Sequence, residues 1–350
     1  MNQIDTLYEL LQLSDTQYKV YDMGRRVQKL TTAEFKAFED ATTPYPYPLQ
    51  QKAWLAILFW DKQRSEQQYL WFLSFQLDEQ GKLIQATRNH FIAMVIEVLG
   101  TELTQQNNNQ EKLDNNPYTF KPEQNKLAML NAKIKVDLKQ PASVYYEHAL
   151  SYLKGEQGWD KWQSVGVQGL ADFAARLATN DNQAQLARAI EHLPADVFNP
   201  LCAQLEHVDI GTHCTEQLVK LANAALANND KQQLINCLRA LSASKAAGLR
   251  QPLLEQILNQ QLGQDSEVLL VITARCWHDL EQQNLRQGFL ESLALCSANH
   301  GEQHQLFVGV VADLVAIPSV RNGFLHSFRQ SDRSDTLAQA IGVLFGQHQR

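Results

Sequence analysis

From residue 125 onwards, amphipathic helix patterns follow one another without a strand pattern between them, and this feature restricts the fold most. Apolar residues recur at helical spacing in segments of roughly 12 to 18 residues. The short turns between the segments carry residues that favour a helix start, namely Asp181, Thr212, Asp230, Asp265 and Ser334 or Asp335. We therefore predict that residues 125–350 form an all-α region.

If these helices are paired, the pairs repeat at similar intervals. They begin near Val165, Ala195, Asp230, Asp265, Glu302 and Asp335, which are 30, 35, 35, 37 and 33 residues apart. Intervals of this size are typical of helical solenoids, in which each pair buries its apolar face against the next. The sequence therefore predicts a solenoid-like helical-repeat region. Residues 177–186 and 226–234 are also alike, but they span about three helices, so the repeat unit stays open.

The first hundred residues mix helix and strand patterns. Thr31 and Glu34 have the spacing of a capping box, with Leu30 and Phe35 in the flanking apolar positions. The predicted elements are a short helix that includes Ile4 to Leu11 and stops near Ser14, a strand over Tyr18–Met23, a helix over Thr32–Asp40, strands over Lys52–Asp61 and Gln68–Leu77, and a helix ending at Gly100. Polar turns separate the two long strands, which indicates an antiparallel sheet packed by helices. We predict an α+β domain over residues 1–103.

A polar segment separates these two regions. It contains the runs Gln-Gln-Asn-Asn-Asn-Gln at 105–110 and Asp-Asn-Asn-Pro at 114–117, with few apolar residues. Such a segment cannot bury enough surface to offset the entropy of ordering it. We predict a flexible linker over residues 104–124, followed by the helical region over 125–350, so that the chain is mostly α overall.

Charge and cysteine usage indicate the compartment and exclude some function classes. The chain has 31 basic and 38 acidic side chains and a net charge of -7, which argues against neutralisation of phosphates or of an anionic membrane as its main task. The first residues show no basic or apolar leader, so we expect no signal peptide. The five cysteines are an odd number and favour reduced thiols. We expect a cytoplasmic protein without a membrane-spanning segment.

The sequence resembles known protein families in two ways. The helical region resembles a divergent HEAT- or armadillo-type α-solenoid, and it lacks the Trp and Gly-Tyr positions of a tetratricopeptide repeat. The whole chain is similar to an uncharacterised proteobacterial protein family of about this length. That resemblance implies a bacterial cytosolic protein, and it brings no assigned activity, catalytic residue or cofactor.

Two groups of side chains have the residue types of a metal site. Cys202, His207, His213 and Cys214 lie within 13 residues, and Cys296, His300 and His304 are spaced by four. In both groups the cysteines also lie on apolar helical stripes, where a free cysteine packs as a small apolar residue. The adjacent residues His213 and Cys214 would also point in different directions on a helix. Packing is the favoured interpretation, and no metal or other cofactor is predicted.

Aromatic residues are concentrated in the first domain. Nine of them fall within 31 residues, namely Tyr45, Tyr47, Trp54, Phe59, Trp60, Tyr69, Trp71, Phe72 and Phe75. The favoured interpretation is a core sheet covered by helices on both faces. The alternative leaves part of one face exposed as a docking surface for a partner or for the helical region itself. Tyr45 and Tyr47, in a proline-rich connector, are the pair that we expect to be exposed and to contact a partner.

These observations support three hypotheses on function. The chain shows no phosphate-binding glycine loop, nucleophile elbow or zinc-protease motif. Repeated helices expose extended surfaces, so the leading hypothesis is a protein-binding scaffold or adaptor that uses the helical region. The alternative is an enzyme or small-molecule binder with its site in the α+β domain. Binding to nucleic acid would require basic residues gathered on one face, and it has the least support.

Overall fold

The computed structural model describes residues 4–63, 67–101, 116–299 and 304–346. It divides the chain into two compact units. The first unit comprises Met1–Pro122 with Ala316–Pro318, and the second comprises Glu123–Val315 with Ser319–Arg350. The α+β composition of the first region, the helical composition of the second and the mostly α character of the chain are confirmed. In the described ranges, every helix is too short or too polar to cross a membrane.

The first unit is built on a four-stranded antiparallel sheet with the order β2-β1-β3-β4. Its strands are β1 (Thr16–Asp22), β2 (Gln28–Leu30), β3 (Lys52–Asp61) and β4 (Gln68–Gln76). The three strands predicted from the sequence are therefore confirmed. Strand β2 was not predicted, because three residues are too few to show an alternating pattern. Its pairing with β1, from Val20 opposite Leu30 to Asp22 opposite Gln28, is a tertiary contact.

Within the described residues, three helices pack with this sheet, and one of them starts with the capping box that the sequence predicted. They are α1 (Leu7–Leu13), α2 (Thr32–Glu39) and α3 (Gln85–Thr101). The predicted capping box of α2 is confirmed, because the Glu34 amide donates to Thr31 Oγ1 over 3.1 Å and the Thr31 amide donates to Glu34 Oε2 over 2.7 Å. Phe35 and Leu30 are both buried in the core on this side of the sheet.

Part of the predicted linker contacts the sheet. Residues 104–115 lie outside the described residues. The Ser74 amide donates to the Tyr118 carbonyl over 2.7 Å, and the Phe120 amide donates to the Phe72 carbonyl over 3.2 Å. The Phe120 ring also lies 5.0 Å from the Trp54 ring, centroid to centroid. Residues 116–122 therefore belong to the first unit, because two aromatic side chains give this end of a polar segment apolar surface to bury.

Helices follow one another through the rest of the chain. Their bounds are α4 (Gln124–Asp137), α5 (Tyr146–Leu153), α6 (Val167–Ala175), α7 (Asn182–Ala189), α8 (Ala195–Leu205), α9 (Gly211–Ala227), α10 (Lys231–Leu241), α11 (Ala247–Leu258), α12 (Ser266–Arg275), α13 (Gln283–Asn299), α14 (Gln305–Ala316), α15 (Pro318–Ser327) and α16 (Asp335–Gly346). In the part of the chain that the structure describes, 3-10 helices lie between them at Trp159–Ser164, Gln261–Gln264 and Trp277–Glu281.

The structure tests the residues that were predicted to cap the helix starts. Asp230 accepts a bond from the Gln233 amide over 3.0 Å, and Asp265 accepts one from the Glu267 amide over 2.9 Å, so both cap a helix as predicted. The prediction for Thr212 was wrong. Helix α9 begins one residue earlier, at Gly211, whose φ of 74° is available to glycine at low cost.

From α4 to α13, each helix packs beside the helix two positions along the chain, and the consecutive helices α5 and α6, and α9 and α10, also pack together. One set of neighbours, here called the first layer, runs α4, α6, α8, α10, α12. The other set, the second layer, runs α5, α7, α9, α11, α13. Helices α8 and α10 expose few residues, because each has neighbours on both sides and the second layer behind it. The first layer carries the polar cluster described next.

Candidate functional site

The structure separates the residues of the first candidate metal group, for which packing was the favoured interpretation. Cys202 is buried in α8, and Cys214 is buried in α9, where its Sγ donates to the Gln183 carbonyl over 3.1 Å. His213 is exposed on α9 and lies 3.6 Å from Glu216. Across the described ranges, no three His, Cys, Asp or Glu residues are arranged to hold a metal ion. Adjacent residues on a helix diverge by about 100°, which separates His213 from Cys214.

The second group is described only in part. Cys296 is buried in α13, while His300 lies outside the described residues. His304 is half-buried just before α14, and its φ of 60° places it in a turn rather than in a helix. The equal spacing of four, which would bring these side chains to one helix face, therefore does not continue along a single helix.

The five cysteines have the environment of packed thiols. All five are buried, and none of them forms a disulfide. Burial raises the pKa of Cys214 to about 11 and that of Cys237 to about 12, and it raises the pKa of Cys202 well above its usual value. Because only the thiolate is a good nucleophile or metal ligand, these three side chains are unreactive near neutral pH.

The exposure predicted for Tyr45 was wrong. Its side chain is fully buried, its hydroxyl donates to Asp22 Oδ1 over 2.7 Å, and its ring lies 5.0 Å from that of Phe38. Tyr47 is half-buried beside it, with ring centroids 6.3 Å apart. The sequence could not show this, because the Asp22 carboxylate that accepts the hydroxyl lies 23 residues away.

A buried carboxylate in the first layer links three helices. Glu206 follows the last residue of α8, and its side chain is almost completely buried. Its Oε2 accepts a bond from Arg239 Nε of α10 over 2.7 Å and forms an ion pair with Arg275 Nε of α12 at 2.9 Å. Both arginines lie in the last turn of their helices, where a positive charge is favourable to the helix dipole.

The two arginines control the charge state of this carboxylate. Burial opposes ionisation of Glu206, but the positive charges of Arg275 and Arg239 outweigh it and hold the pKa at about 2. The neighbouring His207 is also buried, and the loss of hydration lowers its pKa well below the usual value, so it is neutral at pH 7. The cluster therefore contains one anion and two guanidinium cations at its centre.

Helix α4 brings two more cations to the same place. Lys133 Nζ donates to the carbonyl of His207 over 2.7 Å, and Lys126 is close enough to influence His207 electrostatically. Amide side chains continue the contacts, since Asn236 of α10 donates to Asn199 of α8 over 2.7 Å. The first layer thus combines buried amide contacts with an excess of positive charge around Glu206.

Other buried polar side chains are used within the fold. Arg250 of α11 forms two bonds of 2.8 Å with Asp279. In the first unit, Glu39 accepts bonds of 2.9 Å from the amides of Leu7 and Tyr8, which are the first two residues of α1. These groups complete helix ends or pair with a fixed partner, so they offer no unused acid, base or nucleophile.

Sequence reasoning missed the cluster around Glu206. Glu206, Arg239 and Arg275 are 33 and 36 residues apart, which is close to the predicted repeat interval, and each lies near the end of a helix. Charged residues at equivalent positions of successive repeats were therefore the signal that could have found it. Single charged residues near helix ends are common, so only the contact between neighbouring helices of the first layer distinguishes these three.

The comparisons with known proteins give a family and no activity. No curated protein and no solved structure matches the chain. A family described as a protein of unknown function, DUF3549, has a model that matches residues 2–345. This match covers nearly all of the sequence, both the sheet and the helices that carry the cluster. The chain belongs to the DUF3549 family.

Proposed function

We propose that this protein is a bacterial, cytoplasmic scaffold or adaptor that binds a protein partner through the first layer of its helical region. The observation that carries the proposal is the combination of exposed apolar and basic side chains on this layer. Leu270 of α12 is 44% exposed and Val136 of α4 is 40% exposed. Arg239 and Arg275 lie on helices of the same layer and reach solvent in part. Arginine beside exposed apolar residues is typical of protein interfaces.

We also infer that the helical region is a solenoid of the HEAT or armadillo type. The supporting observation is that each helix from α4 to α13 packs beside the helix two positions along, in two layers. In such an array each repeat contacts its neighbours, and one layer forms a continuous surface. A surface of that kind binds an extended partner better than it encloses a small ligand.

The test compares two exposed leucines on different layers. Leu270 lies in α12 of the first layer, and Leu295, which is 38% exposed, lies in α13 of the second layer. The full chain is used as bait in cytosol, as wild type, Leu270→Gln and Leu295→Gln, and bound proteins are identified by mass spectrometry. We expect one stoichiometric partner on the wild type and on Leu295→Gln, with reduced capture by Leu270→Gln.

Two results would contradict this proposal. The absence of a stoichiometric protein on all three baits would count against a scaffold. Equal capture by both variants would count against the first layer as the binding surface. Thermal unfolding of each variant is the control, because an exposed leucine contributes little to stability and its replacement should change stability by less than about 0.5 kcal/mol.

A further inference from the structure

Four cations of the first layer lie around a single buried carboxylate. We call Lys126, Lys133, Arg239 and Arg275 the basic patch. Arg239 and Arg275 share Oε2 of Glu206, at 2.7 and 2.9 Å, and Lys133 donates to the carbonyl of the next residue, His207, over 2.7 Å. The other oxygen of Glu206, Oε1, lies 3.6 Å from Nε2 of the His207 ring. Glu206 thus brings one negative charge to a place where four positive side chains meet.

Arg239 has hydrogen-bond donors that the fold does not use. Its Nε donates to Glu206, and this is the side-chain hydrogen bond that Arg239 makes within the described residues. The side chain is 28% exposed, so its outer edge reaches solvent. Glu123 is a further carboxylate that acts on Arg239 through its charge. A planar pair of Nη groups fits a carboxylate in the two-bond geometry that guanidinium favours.

We propose that the basic patch binds an acidic segment of the partner protein, with a carboxylate of that segment on the Nη atoms of Arg239. This inference rests on the proposed scaffold function and specifies its partner. A net charge of -7 makes the chain repel acidic proteins in general. The basic patch is then the place where an acidic segment gains attraction, and it also determines the orientation of that segment.

Nucleic acid fits the same patch less well. Binding to nucleic acid requires several phosphates to be neutralised at once, and its strength increases with the number of free cations. The patch has four cations, and two of them already share Glu206. Since the remainder of the chain is acidic, we expect a short acidic peptide to bind better than an oligonucleotide of the same length.

The experiment uses the full chain and a fluorescein-labelled peptide of eight glutamates. Binding is followed by fluorescence anisotropy at an ionic strength of about 20 mM, where screening is weak. The variants are Arg239→Lys, which keeps the charge beside Glu206 and removes the planar fork, and Lys126→Gln. The matched control is Lys220→Gln, which removes an exposed cation from α9 of the second layer.

We expect the peptide to bind the wild type and Lys220→Gln equally. Arg239→Lys should weaken binding about tenfold, because lysine cannot form the two parallel bonds, and Lys126→Gln should weaken it several-fold. Equal affinity for wild type and Arg239→Lys, or no binding of the peptide, overturns the proposal. Tighter binding of a labelled oligonucleotide of eight thymidines than of the peptide also overturns it. If Arg239→Lys unfolds at the same temperature as the wild type, its weaker affinity for the peptide reflects a lost contact and not a loss of stability.

This test and the test of the scaffold can fail independently. If a captured partner is not displaced by excess octaglutamate and the peptide does not bind, the basic patch is excluded and the scaffold stands. If the peptide binds with the expected variant effects and no partner is captured, the patch is supported and the scaffold is not. Displacement of the captured partner by octaglutamate supports both.

Discussion

Replacement of Glu206 by glutamine should destabilise the three helices that its carboxylate links. The pKa of Glu206 is about 2, against 4.5 for the unperturbed group. Each pKa unit corresponds to roughly 1.4 kcal/mol, so ionised Glu206 contributes about 3 kcal/mol to the free energy of unfolding. Removal of one partner from a buried ion pair costs about 3–5 kcal/mol, which agrees. We expect Glu206→Gln to lose about 3 kcal/mol at pH 7.

The same contribution should depend on pH in one direction. The folded pKa lies below the unfolded value, so the stabilisation is complete above pH 4.5 and is lost as the pH falls toward 2. The difference between wild type and Glu206→Gln should therefore shrink on acidification. A decrease of this stability difference distinguishes the effect of the lost charge from the effect of altered side-chain packing, because packing does not change with the protonation of Glu206.

Hydrogen exchange followed by mass spectrometry provides the measurement, with peptides from α8, α10 and α12 in the full chain. Local protection is the suitable quantity, because a chain of two units need not unfold in one step. Glu216→Gln is the control, since this carboxylate is exposed on α9 and should change protection by less than about 0.5 kcal/mol. Equal protection of wild type and Glu206→Gln at pH 7, or a difference unchanged at about pH 3, would refute the reasoning.

Three further predictions concern packing and pH. Gly169→Ala would place a Cβ 2.6 Å from the Tyr145 carbonyl oxygen, so it should lower the melting temperature, whereas Gly248→Ala meets no atom within 4 Å and should keep or raise it. Phe35→Ala should cost about 3 kcal/mol in urea unfolding, and an unchanged midpoint would mean that α2 is wrongly placed on the sheet. Burial raises the pKa of Glu39 from 4.5 to about 7, so the folded protein favours the protonated side chain. The resulting contribution to the free energy of unfolding is complete below pH 4.5 and is lost as the pH rises through 7. Exchange protection of α1 should fall over that range in the wild type and stay level in Glu39→Gln, and a level wild-type profile would contradict burial as the cause.

Local sequence patterns predicted much of the first unit because each depends on near neighbours. The capping box at Thr31 and Glu34 and the strands β3 and β4 were visible, since a capping bond and an alternating pattern involve residues a few positions apart. The burial of Tyr45 was not visible. Its hydroxyl partner, Asp22, lies on another element, and the proline-rich context indicated only an extended chain.

The sequence by itself determined the class of each unit, because periodicity decides whether a segment buries one face as a helix or as a strand. It also showed that the helices recur at nearly constant intervals. Only the tertiary structure decided what these intervals bring together. Glu206, Arg239 and Arg275 meet because helices two positions apart pack side by side. No pattern of neighbouring residues in the sequence shows that both arginines contact the same oxygen of Glu206. The charge state of each buried group in the first layer depends on which side chains shield it from water, and those side chains come from residues far apart in the chain.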